Sequence, residues 1–505
     1  MSGTINTPHK EVVIPEFKQI MGHPSPLWML FMTEFWERFA FYGIRWALVL
    51  YIVTQFYGGA SVGEADANLT YGSYLALVYA GAVFGGYVAD KVIGYQRSIL
   101  VGAIFMAAGL FAITIPNPDI FKLGLATIIV GNGMFKPNIS TMVGKLYALN
   151  DTRRDSGFTI FYMGINMGAF FAPILTQYLA QKVFNTGDTP AYKIVFFAAG
   201  IGMLISLVWF YFGRATLKGI GAPEGDAKNP MRVVYVAIGA VLVIPVMYML
   251  LKAGANNLQI VLMVLFAVLA AMLMIEGIKD GTVARDKTIA MMIIFVFNIM
   301  FWAFFEQAGS SFTFLAEKVV NRVGVFGMDV FPTAYFQSVN SVAVIACAPI
   351  LAWIWVALGR RNANPSIPRK FGLGILFNAA AFGLLMYTLT FLVDPTINKV
   401  PFWTLFAVYW IQSIGELCLS PIGLSMVTKL APVRLVGLGM GGWFLSTGIG
   451  NNLSGIVAAL ISGDTGMSVA SALTGYTQAF WILTVGGIIL FLLAPFIQKL
   501  MHGVK

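Results

Sequence analysis

Fourteen uninterrupted apolar runs leave this chain few folds to choose from. They fall at 27–57, 69–90, 98–116, 120–144, 156–182, 192–213, 231–252, 257–278, 288–316, 333–358, 371–393, 400–428, 435–462 and 474–498. Each is long enough to cross a bilayer as a helix. The runs are continuous rather than alternating, which excludes a transmembrane β-barrel. Charged residues make up only 11% of the chain, against about 25% in soluble proteins. The expected architecture is an all-α polytopic membrane protein with 14 transmembrane helices, several of them long enough to tilt.

The loops fix an orientation. With the N-terminus in the cytoplasm, 22 of the 32 Lys and Arg residues fall on cytoplasmic segments and 7 on the opposite side. The other three, Arg38, Arg45 and Lys136, lie inside the runs. This asymmetry predicts both termini inside and an even number of spans. It also accounts for the net charge of +10 without a nucleic-acid partner. The segment 1–22, with His9, Lys10, Glu11, Glu16 and Lys18, has no apolar core followed by a small-residue cleavage site, so no cleaved signal is expected. Cys347 and Cys418 both lie in apolar runs and imply no disulfide framework.

Six runs precede the Gly- and Pro-containing linker Ala215 to Asn229, and six follow Asp280. Between them lies a Val-, Leu- and Met-rich pair, 231–278, expected to be a lipid-facing spacer hairpin. The expected units are a cytoplasmic segment 1–22, a six-helix bundle 23–214, a linker and inserted hairpin 215–286, and a second six-helix bundle 287–505. Two bundles of six are the major facilitator arrangement, with substrate held near the midplane between halves. The loop Gly86-Tyr87-Val88-Ala89-Asp90-Lys91-Val92-Ile93-Gly94-Tyr95-Gln96-Arg97 resembles that superfamily's loop between helices 2 and 3. Its acid and bases are expected to pair with neighbouring helix ends.

Ionisable groups inside the spans are few and expensive, at about 2.5–3.5 kcal/mol each near mid-membrane. The first run carries Glu34, Glu37, Arg38, Tyr42 and Arg45. At 100° per residue, with Glu34 at zero, Arg38 falls near +40°, Arg45 near +20°, Tyr42 near +80° and Glu37 near −60°. They share one broad face, which has to meet a polar cavity or partners on other helices. Lys136 adds a base to the first half. The second half offers two acids, Glu306 and Glu416, with no base in their helices. A cavity basic on one wall and acidic on the other suits a zwitterion. Tyr79, Asn166, Asn340 and Ser420 are polar neutral groups in the same spans, and Trp302 and Trp443 are candidate pocket walls. There is no HExxH, GxSxG or phosphate-loop motif, and His9, His23 and His502 lie outside the spans, so neither an enzyme nor a metal site is indicated.

These residues carry a resemblance. Glu34-x-x-Glu37-Arg38-Phe39-x-Phe41-Tyr42-Gly43 resembles the E-x-x-E-R-F-x-Y-Y-G signature of the proton-dependent oligopeptide transporter family. Gly133 to Asn138, Phe158 to Ala169, Phe301 to Ser310 and Gly415 to Ser420 resemble its motifs in helices 4, 5, 7 and 10. The resemblance implies a bacterial inner-membrane symporter that imports di- and tripeptides with protons, acts as a monomer and needs no cofactor. It implies that Arg45 and Lys136 hold the peptide carboxylate. Glu416, with Asn166 and Asn340, then holds the amine, while Tyr42, Tyr79, Ser420, Trp302 and Trp443 line the pocket. Glu34, Glu37, Arg38, Lys136 and Glu306 are implied in proton coupling. Glu306 is further implied as a gate partner of Arg45, and Lys136 as the exchange partner of the Glu34, Glu37 and Arg38 cluster. The alternative is a carrier of nitrate or another small anion, against which Glu416 argues.

Three departures stand out. Phe41 replaces the first tyrosine of the Y-Y pair, removing one substrate hydroxyl contact. Ser341 follows Asn340 where proline is common, predicting a straighter helix 8. Gly72 stands where animal members carry a histidine.

Overall fold

The computed structural model describes residues 14–148, 151–185, 187 and 189–504. Residues 1–13, with His9, Lys10 and Glu11, and Lys505 lie outside the described residues. The first half is built from α1 (Ser25–Phe56), α2 (Gly63–Val88), α3 (Tyr95–Ala112), α4 (Pro118–Lys145), α5 (Arg154–Tyr178) and α6 (Tyr192–Gly213). The hairpin is α7 (Met231–Lys252) and α8 (Ala255–Lys279). The second half is built from α9 (Thr282–Phe305), α10 (Ser311–Lys318), α11 (Tyr335–Arg360), α12 (Ile367–Phe391), α13 (Trp403–Leu430), α14 (Val436–Ser462) and α15 (Val469–Leu500). Because α9 and α10 are one span broken at 306–309, the number of spans is the expected fourteen.

Among the described residues, thirteen of these spans are long and apolar enough to cross a membrane by composition. The remaining one is α4, 28 residues long. It carries Asn132, Lys136, Pro137 and Asn138, and its polarity comes from facing the protein interior. Asn117 caps α4 by accepting from the backbone N–H of Asp119 and Ile120, with Pro118 at the first helical position. Before α1, a two-residue turn at Met21 (φ 51°) and Gly22 (φ 79°) joins β1 (Gln19–Ile20) to β2 (His23–Pro24). Arg153 ties this hairpin down by donating to the Gly22 carbonyl at 3.1 Å. The same side chain also holds the Asp151 carboxyl at about 2, chiefly by hydrogen bonding.

In the first half α1 packs on α5 and α6, and α4 packs on α3 and α2. In the second, α12 packs on α13 and α15, and α14 packs on α9. The halves meet through α2 on α14 and α5 on α11. Glycine permits the first of these contacts: a Cβ on Gly72 would lie 2.6 Å from the Cα of Gly455. The same contact explains why no histidine stands at 72, since the α14 backbone occupies its space. Ser341 lies within α11, which runs from Tyr335 to Arg360 with Pro349 inside it.

The hairpin is more than a spacer. α7 docks on α4 and α2 of the first half, and α8 docks on α14 and α9 of the second. Tyr248 donates to Asp119 at 2.6 Å, tying α7 to α4. Asn452 of α14 donates to the carbonyl of Ala255 at 2.8 Å, tying down α8. The chain therefore passes from one half to the other at Ala253 and Gly254. The 86–97 loop is held by contacts to α3 and to the linker. Asp90 accepts from Tyr95 inside the loop. Arg97 donates to the carbonyls of Ala227 and Lys228 in the linker at 2.8 and 3.1 Å.

On the side away from the termini, several bonds join the halves. Lys318 pairs with Glu64, whose other oxygen accepts from the backbone N–H of Met467 at 2.7 Å. The Gln177 side-chain oxygen accepts from the Ala334 N–H at 2.5 Å, and Ser338 donates to the Phe170 carbonyl at 2.8 Å. That side is closed by these contacts.

Candidate functional site

The face anticipated on α1 is packed inward. Glu34, Glu37 and Arg38 are each at most 1% exposed. Arg38 Nε and Nη2 meet the two Glu37 oxygens at 2.5 and 2.6 Å. Glu34 lies one turn back, with its Oε1 3.3 Å from Arg38 Nε. Its second oxygen is buried without a hydrogen-bond partner. Asn132 of α4 donates to Glu37 at 3.2 Å. Arg38 thus offsets one of the two carboxylates inside a single helix, and the other is left without a matching base on α1.

Lys136, implied as the exchange partner of the Glu34–Glu37–Arg38 cluster, lies within electrostatic reach of Glu34 and Glu37. Among the described residues, no acid lies within ion-pair distance of it. Its ammonium rests 5.3 Å from the Tyr79 ring and 5.8 Å from the Phe41 ring. The other face of the story at Phe41 is Arg38, whose guanidinium lies 4.7 Å from the same ring. The Phe41 ring therefore contacts two cations, Arg38 and Lys136.

The second cluster joins the halves. Arg45 Nη2 meets Glu306 Oε2 at 2.5 Å, with both side chains about 10% exposed. Arg45 Nε donates to the Tyr71 hydroxyl at 2.9 Å. Glu306 reaches this position because α9 ends at Phe305 and a short 3-10 turn carries residues 306–309. The break is satisfied internally. Gln307 donates to the Ala303 and Ser454 carbonyls, both at 3.1 Å, and accepts from Ser311 at 2.6 Å. The Ala308 carbonyl accepts from Gln337 at 3.3 Å and Tyr409 at 3.2 Å. Irregular backbone at membrane depth is stable only with such internal partners.

Across the interior, Asn340 of α11 donates to Glu416 of α13 at 3.1 Å and to Ser413 at 2.8 Å. Glu416 is within electrostatic reach of Tyr42 and Tyr162 from the first half. The Ser420 hydroxyl is buried without a partner. Asn166 donates to the Tyr162 carbonyl on its own helix at 3.0 Å. Trp302 donates to Asn298 at 3.0 Å and is half-buried. Trp443, the other candidate pocket wall, lies on α14. It is 5% exposed, wedged between Phe295 and Phe371 and over Gly423. Here it packs the core of the second half.

Four participants were missed by sequence reasoning. Tyr71 and Asn132 sit in apolar runs, where a lone tyrosine or asparagine reads as packing. Glu64 and Lys318 fall just outside the runs and read as loop charges, yet Glu64 is 1% exposed in its side chain.

Two helical bundles, a broken helix at the interface and charges gathered at mid-depth define a polytopic transporter of major facilitator type. The sequence profile described as "POT family" matches residues 96–472, and the chain belongs to that family. It is 34% identical over 512 residues to "Peptide transporter YePEPT" of Yersinia enterocolitica subsp. palearctica, covering 97% of this chain and 98% of that one. It is 33% identical over 494 residues to "Dipeptide and tripeptide permease B" of Xenorhabdus bovienii, covering 96% and 97%. Among solved structures, a peptide transporter POT in complex with sulfate superposes with a TM-score of 0.80 at 32% identity, covering 96% of this chain and 97% of the other.

Proposed function

We propose that the protein is a proton-coupled symporter that imports di- and tripeptides by alternating access. Peptide transporters and di- and tripeptide permeases among the relatives support this reading over a nitrate carrier. The observation that carries it is the Arg45–Glu306 pair, at 2.5 Å across the two halves. In this reading a proton on Glu306 releases Arg45, and Arg45 and Lys136 then take the peptide carboxylate. Glu416, steadied by Asn340, takes the amine, with Asn166, Tyr42, Tyr79, Ser420 and Trp302 around the ligand. In the acid cluster, Glu37 is fully engaged by Arg38 and Asn132, which leaves Glu34 as the acid that receives the second proton.

The same reading places the protein in the bacterial inner membrane as a monomer with both termini cytoplasmic. The closed side then faces outward. Protein in liposomes should accumulate a dipeptide when an inward proton gradient is imposed, and peptides but not nitrate should raise its melting temperature. Glu306→Gln should retain peptide counterflow and lose accumulation. Stabilisation by nitrate alone, or intact accumulation in Glu306→Gln, would overturn the reading.

A further inference from the structure

We propose that Tyr71 is the third member of the Arg45–Glu306 gate, a positioning residue whose phenol oxygen keeps the guanidinium in place when the carboxylate lets go. The inference rests on the reading of Arg45 as the clamp for a peptide carboxylate. Arg45 has two partners on two other elements. Nη2 meets Glu306 at 2.5 Å, and Nε donates to Tyr71 at 2.9 Å. Tyr71 is 2% exposed. Its backbone is fixed by the next residue, Gly72, pressed against Gly455 of α14.

The broken span is shaped around this phenol. A Cβ on Gly309 would lie 2.0 Å from the Tyr71 oxygen, so the 306–309 turn both presents Glu306 and leaves room for Tyr71. Three elements, α1, α2 and that turn, converge on one guanidinium. The other ionisable groups within electrostatic reach of it are Tyr42 on its own helix, Tyr79 of α2, and Tyr409 and Glu416 of α13, while Tyr74 of α2 faces Tyr71.

The two bonds answer to different events. A proton on Glu306 removes the charge that holds Nη2. The bond from Nε to Tyr71 does not depend on that proton. Tethered at Nε, the guanidinium keeps its Nη edge aimed into the cavity, and that edge matches a carboxylate in a two-pronged geometry. Untethered, the long arginine side chain would have to be ordered at each binding event.

The test is Tyr71→Phe in liposomes, which keeps the ring and removes only the oxygen. KM for a dipeptide with a free C-terminus should rise about tenfold, the scale of one lost hydrogen bond to a charged group. The counterflow kcat should stay within about twofold, a change too small to reflect loss of such a bond. KM for the C-terminal amide of the same peptide should not move. In the double variant with Glu306→Gln, the rise in KM should exceed the product of the two single rises. An unchanged ratio of peptide to amide KM, equal losses for both, or a purely multiplicative double variant would overturn the inference. If Tyr71→Phe does not fold, Tyr71→Met serves instead: it also removes the oxygen while its flexible side chain fills the space, so the same ratio should change, and an unchanged ratio overturns the idea. If the unmodified protein takes up no peptide, the functional reading fails and takes this inference with it. If it does and the variants match it, only the role of Tyr71 fails.

Discussion

Glu37 and Arg38 form a two-pronged buried pair at 2.5 and 2.6 Å, while Glu34, one turn away, keeps a single contact at 3.3 Å and one oxygen without a partner. Two acids on one helix face therefore have unequal tasks. Glu37 neutralises Arg38 inside the bundle. Glu34 has an oxygen to which a proton can add without breaking a bond.

The variants should separate accordingly. Glu34→Gln should unfold near the wild-type temperature and still exchange peptide, while losing proton-driven accumulation. Glu37→Gln strips Arg38 of its charged partner and should destabilise the fold by about 3 kcal/mol, the scale for breaking a buried pair. Thermal unfolding in detergent beside liposome uptake distinguishes them. Equal destabilisation by both would contradict the division of roles.

How much of this was legible in the sequence follows from what kind of signal each residue gives. The α1 charges were legible because four ionisable groups in one apolar run have to share a face at 100° per residue. The fourteen spans were legible from length and loop charge, although α4 is polar enough to escape a composition count. Tyr71 was not legible, because a tyrosine in an apolar run usually packs, and only the approach of Arg45 and the gap at Gly309 give it a task. Trp443 has neighbours that its span alone does not reveal. A tryptophan in a transporter span suggests a pocket, but the missing side chain at Gly423 draws it into the core. The pairing of α7 and α8 with different halves is invisible to hydropathy, which sees only two apolar runs.

Phe41 and Tyr79 hold Lys136 between rings at 5.8 and 5.3 Å, with no acid in ion-pair range among the described residues. Phe41→Leu removes the ring that contacts both Lys136 and Arg38. Affinity for peptides with a free C-terminus should fall roughly fivefold, in keeping with about 1 kcal/mol for a partly buried cation–ring contact. Phe41→Tyr, which keeps the ring, should fall by less than twofold on the same contact argument. Competition binding by both variants checks the order, and a larger loss in Phe41→Tyr than in Phe41→Leu would refute the cradle.

Lys318 is the charged partner of Glu64 across the halves, on the side away from the termini. Lys318→Gln leaves that buried carboxylate with weaker compensation and should shift the population toward a state open on that side. Spin labels at Val62 and Val323, both exposed and on opposite halves, should show longer distances in the variant. An unchanged distance distribution would mean that the ion pair does not hold the closed state.

Gly72 and Gly455 set the separation of α2 and α14. A Cβ at 72 would sit 2.6 Å from the Gly455 Cα, 2.8 Å from its nitrogen and 2.9 Å from the Asn451 carbonyl oxygen. All three are backbone atoms, so no rotamer change makes room and the helices have to part. Gly72→Ala should lower stability by about 1–3 kcal/mol, the usual range for overpacking. Gly455→Ala should do the same, because its Cβ would lie 2.9 Å from the Gly72 Cα. The contact joins the two halves, so parting it also weakens the closed side, and both variants should lengthen the same Val62–Val323 label distance as Lys318→Gln. Gly72→His brings a far larger side chain to that gap and should fail to give folded protein. Wild-type stability in Gly72→Ala would show that α2 and α14 are loosely seated, and the separation of the halves would then have to be set elsewhere.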